Sequence, residues 1–322
     1  MPANVRRPIR FGVLGMYADR EAIIDAARDA ERLGFSTFCV SDHFMAPLAP
    51  LIALQAVADA TSTLRLTQTV LDQDFRHPAV LAKDLATLDL LSGGRVEVGI
   101  GAGWMKEEYD QTGIRYDKPS VRIERLEEVI IILKGLFAEA PLTFAGKHFT
   151  ITGLNGVPKP RQRPGPPIMV GGGGRKLLSV AARHADIIQV ASTNTARRTS
   201  IDAGQFTAKA FEEKVGWIRD EAGERFEAIE LGTQLLSLTV TDDRSAGVEA
   251  FRSMVRAMLG GAEFDLSEDE ILESPSFAIG TVDQVAQKLL ESRERFGFSY
   301  FTTGVSSSPE SAVPVIERLA GK

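Results

Sequence analysis

Four adjacent residues, Ser41, Asp42, His43 and Phe44, place a carboxyl group and an imidazole directly after the apolar stretch STFCV. An imidazole titrates near neutrality and can take or give a proton, and a neighbouring acid can hold it in one orientation. A hydrogen-bonded histidine at a structural rim would look the same, so residue types alone leave both readings open. The other three of the four histidines offer less chemistry. His77 stands before Pro78 at a helix start, His148 lies in a hairpin-like stretch, and His184 falls near a helix end, where a cation complements the dipole. No H-x-H or H-E-x-x-H spacing occurs, so no metal centre is expected. A serine hydrolase does not assemble either, because there is no G-x-S-x-G elbow.

Two glycine turns are the second feature. Gly171, Gly172, Gly173 and Gly174 run straight into RKLLSVAARHA, leaving backbone N–H groups free at a helix start, with Arg175 to add charge. That arrangement suits a phosphate, although a tight turn needing positive φ would also use glycine. Gly101, Ala102 and Gly103, followed by Trp104, form a similar turn where a flat ring or a phosphate can approach the backbone.

The elements that must position these groups alternate almost throughout. Short apolar runs at 10–14, 36–41, 64–71, 95–101, 167–172, 186–191, 231–240 and 298–305 predict eight strands. Helical spacing predicts helices at 20–34, 50–61, 77–91, 119–138, 174–184, 199–222, 245–259 and 281–296, and a last one after Pro309. This rhythm is that of βαβ units around a parallel sheet, and eight such strands close into a barrel. An open nucleotide-binding sheet is disfavoured, since RFGVLGMYADR carries no G-x-G-x-x-G before the first helix. In a barrel the reacting groups sit at the carboxyl ends of the strands, which is where Asp42, His43 and both glycine turns fall. Residues 139–166 are read as an insertion between strands four and five, with a hairpin in FAGKHFTITG. Residues 260–280 are read as an acidic surface excursion before strand eight.

Composition excludes other classes. The chain has 322 residues, 44 % of them hydrophobic, and a net charge of −6 with no basic block, so a small molecule is expected as partner and nucleic acid is not. MPANVRRPIR lacks an apolar run after its arginines, and no eighteen uncharged apolar residues occur together, so neither a leader nor a membrane span is expected and the address is cytoplasmic. The single cysteine, Cys39, lies in an apolar strand and reads as an inert buried thiol.

SDHF, LTQTVLDQDFRHPAVLAKDLATLDLLSGGRVEVGIGAGW, KPRQRPGPPIMVGGGG and FAIGTVDQVAQKLLESRERFGFSYF, in that order, resemble the bacterial-luciferase-like superfamily. They are most similar to its branch of oxidoreductases dependent on the deazaflavin coenzyme F420. The resemblance implies an α/β fold, a (β/α)8 TIM barrel forming one domain over 1–322, usually as a homodimer, with the cofactor across the strand ends. It implies that His43 stands beside the reactive ring carbon, with Asp42 facing the ring or orienting the histidine. It also implies a cis peptide at Thr69–Val70 against the ring, and a cofactor phosphate at Gly171–Gly174 and Gly101–Gly103, with Ser192 a further contact. Tyr109 and Arg122 match frequent family positions, the arginine being as readily a structural ion pair. The sugar-phosphate dehydrogenases of the branch carry an acid where this chain has Trp104, so Trp104 is read as a wall for an apolar or aromatic substrate, or as packing under the rim. Met16, Phe44 and Phe75 are placed on the substrate side. The expected activity is hydride transfer between F420 and a small organic substrate. The alternatives are an FMN-dependent monooxygenase using reduced flavin and oxygen, a cofactor-binding protein without turnover, and an unrelated barrel hydrolase.

Overall fold

The computed structural model describes residues 7–192, 202–258, 264–304 and 309–319. Its first half runs β1 (Arg10–Leu14), α1 (Arg20–Arg32), β2 (Thr37–Val40), α2 (Pro50–Ala60), β3 (Arg65–Gln68), β4 (Leu71–Asp72), α3 (Pro78–Leu91), β5 (Val96–Gly101), α4 (Lys106–Thr112) and α5 (Pro119–Phe137). Then come β6 (Leu142–Ala145), β7 (Thr150–Leu154), β8 (Ile168–Gly172), α6 (Arg175–His184), β9 (Ile187–Val190), α7 (Ala208–Ala222) and β10 (Glu230–Leu235). The chain finishes with β11 (Ser237–Val240), α8 (Arg244–Met258), α9 (Glu268–Glu273), β12 (Phe277–Gly280), α10 (Val282–Phe296), β13 (Phe298–Thr303) and α11 (Pro309–Leu319). Helix limits follow local chemistry. The Asp19 side chain accepts the Ala22 N–H to start α1, and Thr281 and Gln284 form a reciprocal capping box on α10, which Gly297 ends at φ +81°.

Eight strands form the barrel. In parallel register they run β3, β2, β1, β13, β10, β9, β8 and β5, and pairing of Leu66 with Val96 and Thr67 with Glu97 closes the ring between β3 and β5. The expected (β/α)8 fold is therefore what the chain adopts, and the antiparallel β6–β7 hairpin is the insertion expected between the fourth and fifth barrel strands. Strands such as TFCV and VEVGIG are buried at every position because helices cover the outer face and side chains fill the inner one. One end of the interior is charged. Arg10 reaches Glu230 at 2.7 Å and Glu97 at 2.9 Å, Arg65 also bonds Glu97, and the Arg10 guanidinium lies over the Tyr300 ring. Cys39 is fully buried nearby and burial pushes its thiol up to about 12, which makes it inert as expected.

Three expectations are corrected. The seventh strand is expected through residue 240, but β10 ends at Leu235, and Ser237–Val240 turns out of the barrel to pair in parallel with β12. Residues 260–280 are not merely a surface excursion. Residues 260–263 lie outside the described residues, but α9 is a capped helix and Phe277 and Ile279 of β12 are buried in a separate apolar cluster with Phe206, Phe251 and Phe264. That cluster gives α8, α9 and one face of β12 a core of their own beside the barrel, while Leu238 of β11 and Ala278 of β12 pack into the main core. The helix expected over 199–222 starts later: residues 199–201 lie outside the described residues, Ala203–Phe206 form a short 3-10 turn, and α7 begins at Ala208 after the Thr207 cap, while residues 259 and 305 also fall outside the described residues. Among the described residues no helix is long and apolar enough to cross a membrane.

Candidate active site

The chain leaves β2 at Val40 and passes through Ser41, Asp42, His43 and Phe44 at the carboxyl end of the barrel. The Asp42 carboxylate is buried and takes both Arg76 N–H groups, at 2.6 and 2.7 Å, together with the Asp72 N–H at 3.0 Å. A paired guanidinium and a backbone donor satisfy both oxygens, so Asp42 ties the segment after β4 to the end of β2. It does not orient His43, which corrects that part of the expectation. The histidine is instead held by Glu108, whose Oε2 lies 3.0 Å from His43 Nδ1 and whose Oε1 accepts the Phe44 N–H at 2.6 Å. Glu108 is buried while the His43 side chain is 31 % exposed, so the free Nε2 edge of the ring is the part that can meet a ligand.

Glu108 comes from α4, which sequence reasoning missed. This helix of seven residues, KEEYDQT, has no apolar periodicity, and what it buries is polar: Glu108 against His43, and Tyr109 against Asp72 and Asp74. The signals that could have found it are the two acids of its first turn and Gly113, which ends it at φ +75°. The Tyr109 hydroxyl donates to Asp72 at 2.7 Å and Asp74 at 3.0 Å, and burial pushes the Asp72 carboxyl up to about 6 against that hydrogen bond. Burial and the two carboxylates push the Tyr109 phenol well above its usual range. Arg125 pairs with Asp74 and Asp117. Arg122 sits under the Tyr116 ring and donates to the Ala102, Gly103 and Asp117 carbonyls, so it clamps the first glycine turn through carbonyls rather than an ion pair.

The glycines are required by close approach. The Thr69–Val70 bond is cis, as the resemblance implied, and Val70 leans over β5 and β8. A Cβ at Gly101 would come within 2.7 Å of Val70, and one at Gly171 would meet Val70 at 3.1 Å and nothing else but Val70 within 4 Å. A Cβ at Gly103 would strike the Tyr109 hydroxyl and the Asp72 carboxylate. Further along, Gly173 lies against the backbone of Ala191 and Ser192, which brings Ser192 beside the second glycine turn. Helix α6 starts at Gly174 with no side-chain cap, and an added Cβ there would meet open space. Arg175 is exposed in its first turn, its guanidinium 5.9 Å from the Trp217 ring centre.

Aromatic side chains wall the histidine side. Trp104 stands edge-on to His43 at 5.7 Å, Phe44 packs on Phe75 at 5.0 Å, and Phe75 on Tyr109 at 5.5 Å. Phe44 and Met16 are both more than half exposed. Met16 lies with Tyr17, Val40, Ser41 and Ala46, so the structure sets it on the β1 side of Ser41 and not within the aromatic group. His77 caps α3, His184 pairs with Glu127, and His148 approaches Glu124, so none of these histidines stands with His43. Among the described residues no group of three His, Cys, Asp or Glu side chains could hold a metal ion.

These features fit a flat flavin-type ring with a phosphate tail. Gly101 and Gly171 carry no side chain and so let Val70 lie against β5 and β8, and the buried Thr69 hydroxyl and Gln189 amide have no partner within the protein. The uncapped start of α6 offers N–H groups to an anion.

The family described as luciferase-like monooxygenase matches residues 8–300. The FMNH(2)-dependent dimethylsulfone monooxygenase of Pseudomonas putida is 32 % identical over 166 residues, 50 % of this chain and 46 % of that protein. The F420-dependent glucose-6-phosphate dehydrogenase of Amycolatopsis mediterranei is 31 % identical over 173 residues, 51 % of each chain. The chain thus spans about half the length of these curated relatives. The coenzyme F420 dependent tetrahydromethanopterin reductase from Methanopyrus kandleri shares the fold, with a TM-score of 0.76 over 97 % of this chain and 98 % of that one at 20 % identity. With a closed parallel barrel, a histidine at its carboxyl end and a family match over residues 8–300, this chain belongs to the luciferase-like monooxygenase family.

Proposed function

We propose that the protein is an oxidoreductase that transfers hydride between coenzyme F420 and a small, largely apolar organic substrate. The observation that carries this reading is the His43–Glu108 pair. When bound, the deazaflavin supplies or accepts the hydride. The protein's part is the proton. Hydride addition to a carbonyl or imine leaves charge on the heteroatom, and hydride removal from an alcohol or amine needs that proton taken away.

Glu108 accepts from Phe44 N–H with one oxygen and faces His43 Nδ1 with the other, so the neutral imidazole carries its proton on Nδ1. Nε2 is then a base toward the ligand, and in the protonated ring it is an acid. Asp42 acts at one remove by fixing the loop that carries Asp72, Asp74 and Phe75. Val70, Gly101 and Gly171 would hold the ring, and Gly173, Gly174, Arg175 and Ser192 its phosphate. Trp104, Phe44 and Phe75 exclude water and favour an apolar substrate.

The competing reading is an FMNH2-dependent monooxygenase, supported by the dimethylsulfone monooxygenase relative. Titration of the purified protein with F420 and with FMN, followed by ring fluorescence, separates the two. Tight binding of FMN with none of F420 would overturn the proposal. A homodimer is also proposed. The outer faces of α2 and α3, which pack together, expose Ile52, Val80 and Leu91, and a monomeric mass in solution would refute the assembly.

A further inference from the structure

Strand β9, IIQV, carries one polar residue, Gln189, among apolar ones. Alternation along β9 puts Gln189 on the same face as Ile187, which packs inside the barrel with Met169 and Tyr300 and has Val70 against that group. The amide is 8 % exposed, and both Oε1 and Nε2 lack any partner. Its neighbours in register are Gly171 on β8 and Gly232 on β10. Neither contributes a side chain. A Cβ at Gly232 would lie 2.8 Å from the Gln189 Nε2, so the glycine makes room for the amide, while a Cβ at Gly171 would crowd Val70 at 3.1 Å, so that glycine lets Val70 approach β8. Gln68 is equally unpaired, but Arg65 and Thr67 take the inner face of β3, so its side chain points to the helix side.

A buried amide with one unmet donor and one unmet acceptor is matched by a ligand that offers an acceptor and a donor side by side. Flavin and deazaflavin rings both present that pattern at their imide edge, as a carbonyl next to N3–H. We propose that Gln189 reads the imide edge of the bound ring, its Nε2–H donating to a ring carbonyl and its Oε1 accepting from ring N3–H. This rests on the reading of the mouth as a flavin-type site and fixes which edge of the ring enters the barrel. Gln189 is thus a binding residue toward Gly171 and Val70, while His43 and the aromatic wall face the substrate side.

The test is binding, not turnover. Whichever of F420 and FMN the wild-type protein binds is titrated by ring fluorescence alongside its N3-methyl derivative. At about tenfold per 1.4 kcal/mol, loss of the N3–H bond is expected to weaken wild-type binding roughly tenfold. Gln189→Leu is expected to bind the unmethylated ring roughly tenfold or more weakly and to discriminate against the methyl group no further. Gln189→Glu, whose carboxylate faces a ring carbonyl, is expected to bind more weakly still. Equal wild-type affinity for the two rings overturns the inference without any variant having to fold. So does unchanged ring affinity in a folded Gln189→Leu protein, or a change confined to substrate KM. If neither F420 nor FMN binds, the flavin-site reading itself fails, a result distinct from binding without discrimination.

Discussion

Replacing Glu108 by Gln probes the His43 arrangement with little change in volume. In the native site one Glu108 oxygen accepts the Phe44 N–H at 2.6 Å and the other lies 3.0 Å from His43 Nδ1. A glutamine can keep the first contact through its carbonyl oxygen, which leaves its NH2 toward Nδ1. The amide then donates, Nδ1 becomes the acceptor, and the imidazole proton moves to Nε2. A neutral His43 in that form offers the ligand a donor where the native ring offers a base. General acid–base catalysis contributes about 10²- to 10⁴-fold, and a ring in the wrong tautomer forfeits most of it, so kcat is expected to fall about 100-fold, or about 2.7 kcal/mol. Cofactor affinity is expected to change less than about threefold, since Glu108 faces His43 and not Val70. Nitrogen NMR of the histidine ring gives a readout that needs no substrate: Nδ1–H in the wild type, Nε2–H in E108Q. A variant that keeps the Nδ1–H form and wild-type turnover would refute the assignment of Glu108 as the positioning residue.

Three other substitutions report on the surrounding structure. Asp42→Asn leaves Arg76 without its carboxylate and is expected to cost about 3 kcal/mol in urea unfolding, the lower end for removing one member of a buried pair; a cost near zero would show that the pair does not hold the loop. Asp72 has a folded pKa near 6, above the unfolded carboxyl value, so its contribution to stability is full below about pH 4 and is lost as pH rises through about 6. Asp72→Asn is expected to flatten that fall in stability between those limits, and unfolding curves with an unchanged pH dependence would contradict it. Gly171→Val puts a branched side chain where even a Cβ would lie 3.1 Å from Val70, so it is expected to displace Val70, weaken cofactor binding by more than about 100-fold and lower Tm; fluorescence titration and thermal melting read the two, and unchanged affinity would place the ring elsewhere.

The barrel was legible because its strands are buried on both faces and several of its helices start or stop at an identifiable cap, proline or glycine. RFGVL, STFCVS and PIMVGG read as strands on their own, and the glycine turns marked the strand ends. His43 was legible as the one histidine at such an end. Its partner was not. Glu108 looks like a surface acid in KEEYDQT, and only the contact of α4 with the segment after β2 makes it buried. Asp42 was assigned by adjacency in sequence, but successive side chains diverge, and Arg76, thirty-four residues on, claims its carboxylate. The β11–β12 pair escaped because FAIG is short, and its partner strand lies forty residues earlier in register. Gln189 was visible in principle, as a polar residue in a strand that the barrel buries on both faces.

The central claim is that His43 serves proton transfer beside a bound deazaflavin ring. Its most direct measurement is F420 binding and F420-linked absorbance change, over a panel of alcohols, enones and imines, in wild type and His43→Ala side by side. F420 affinity within about threefold of wild type, with turnover reduced about 100-fold or more, is the expected result. Wild-type turnover in His43→Ala, or absence of F420 binding in both proteins, would contradict it.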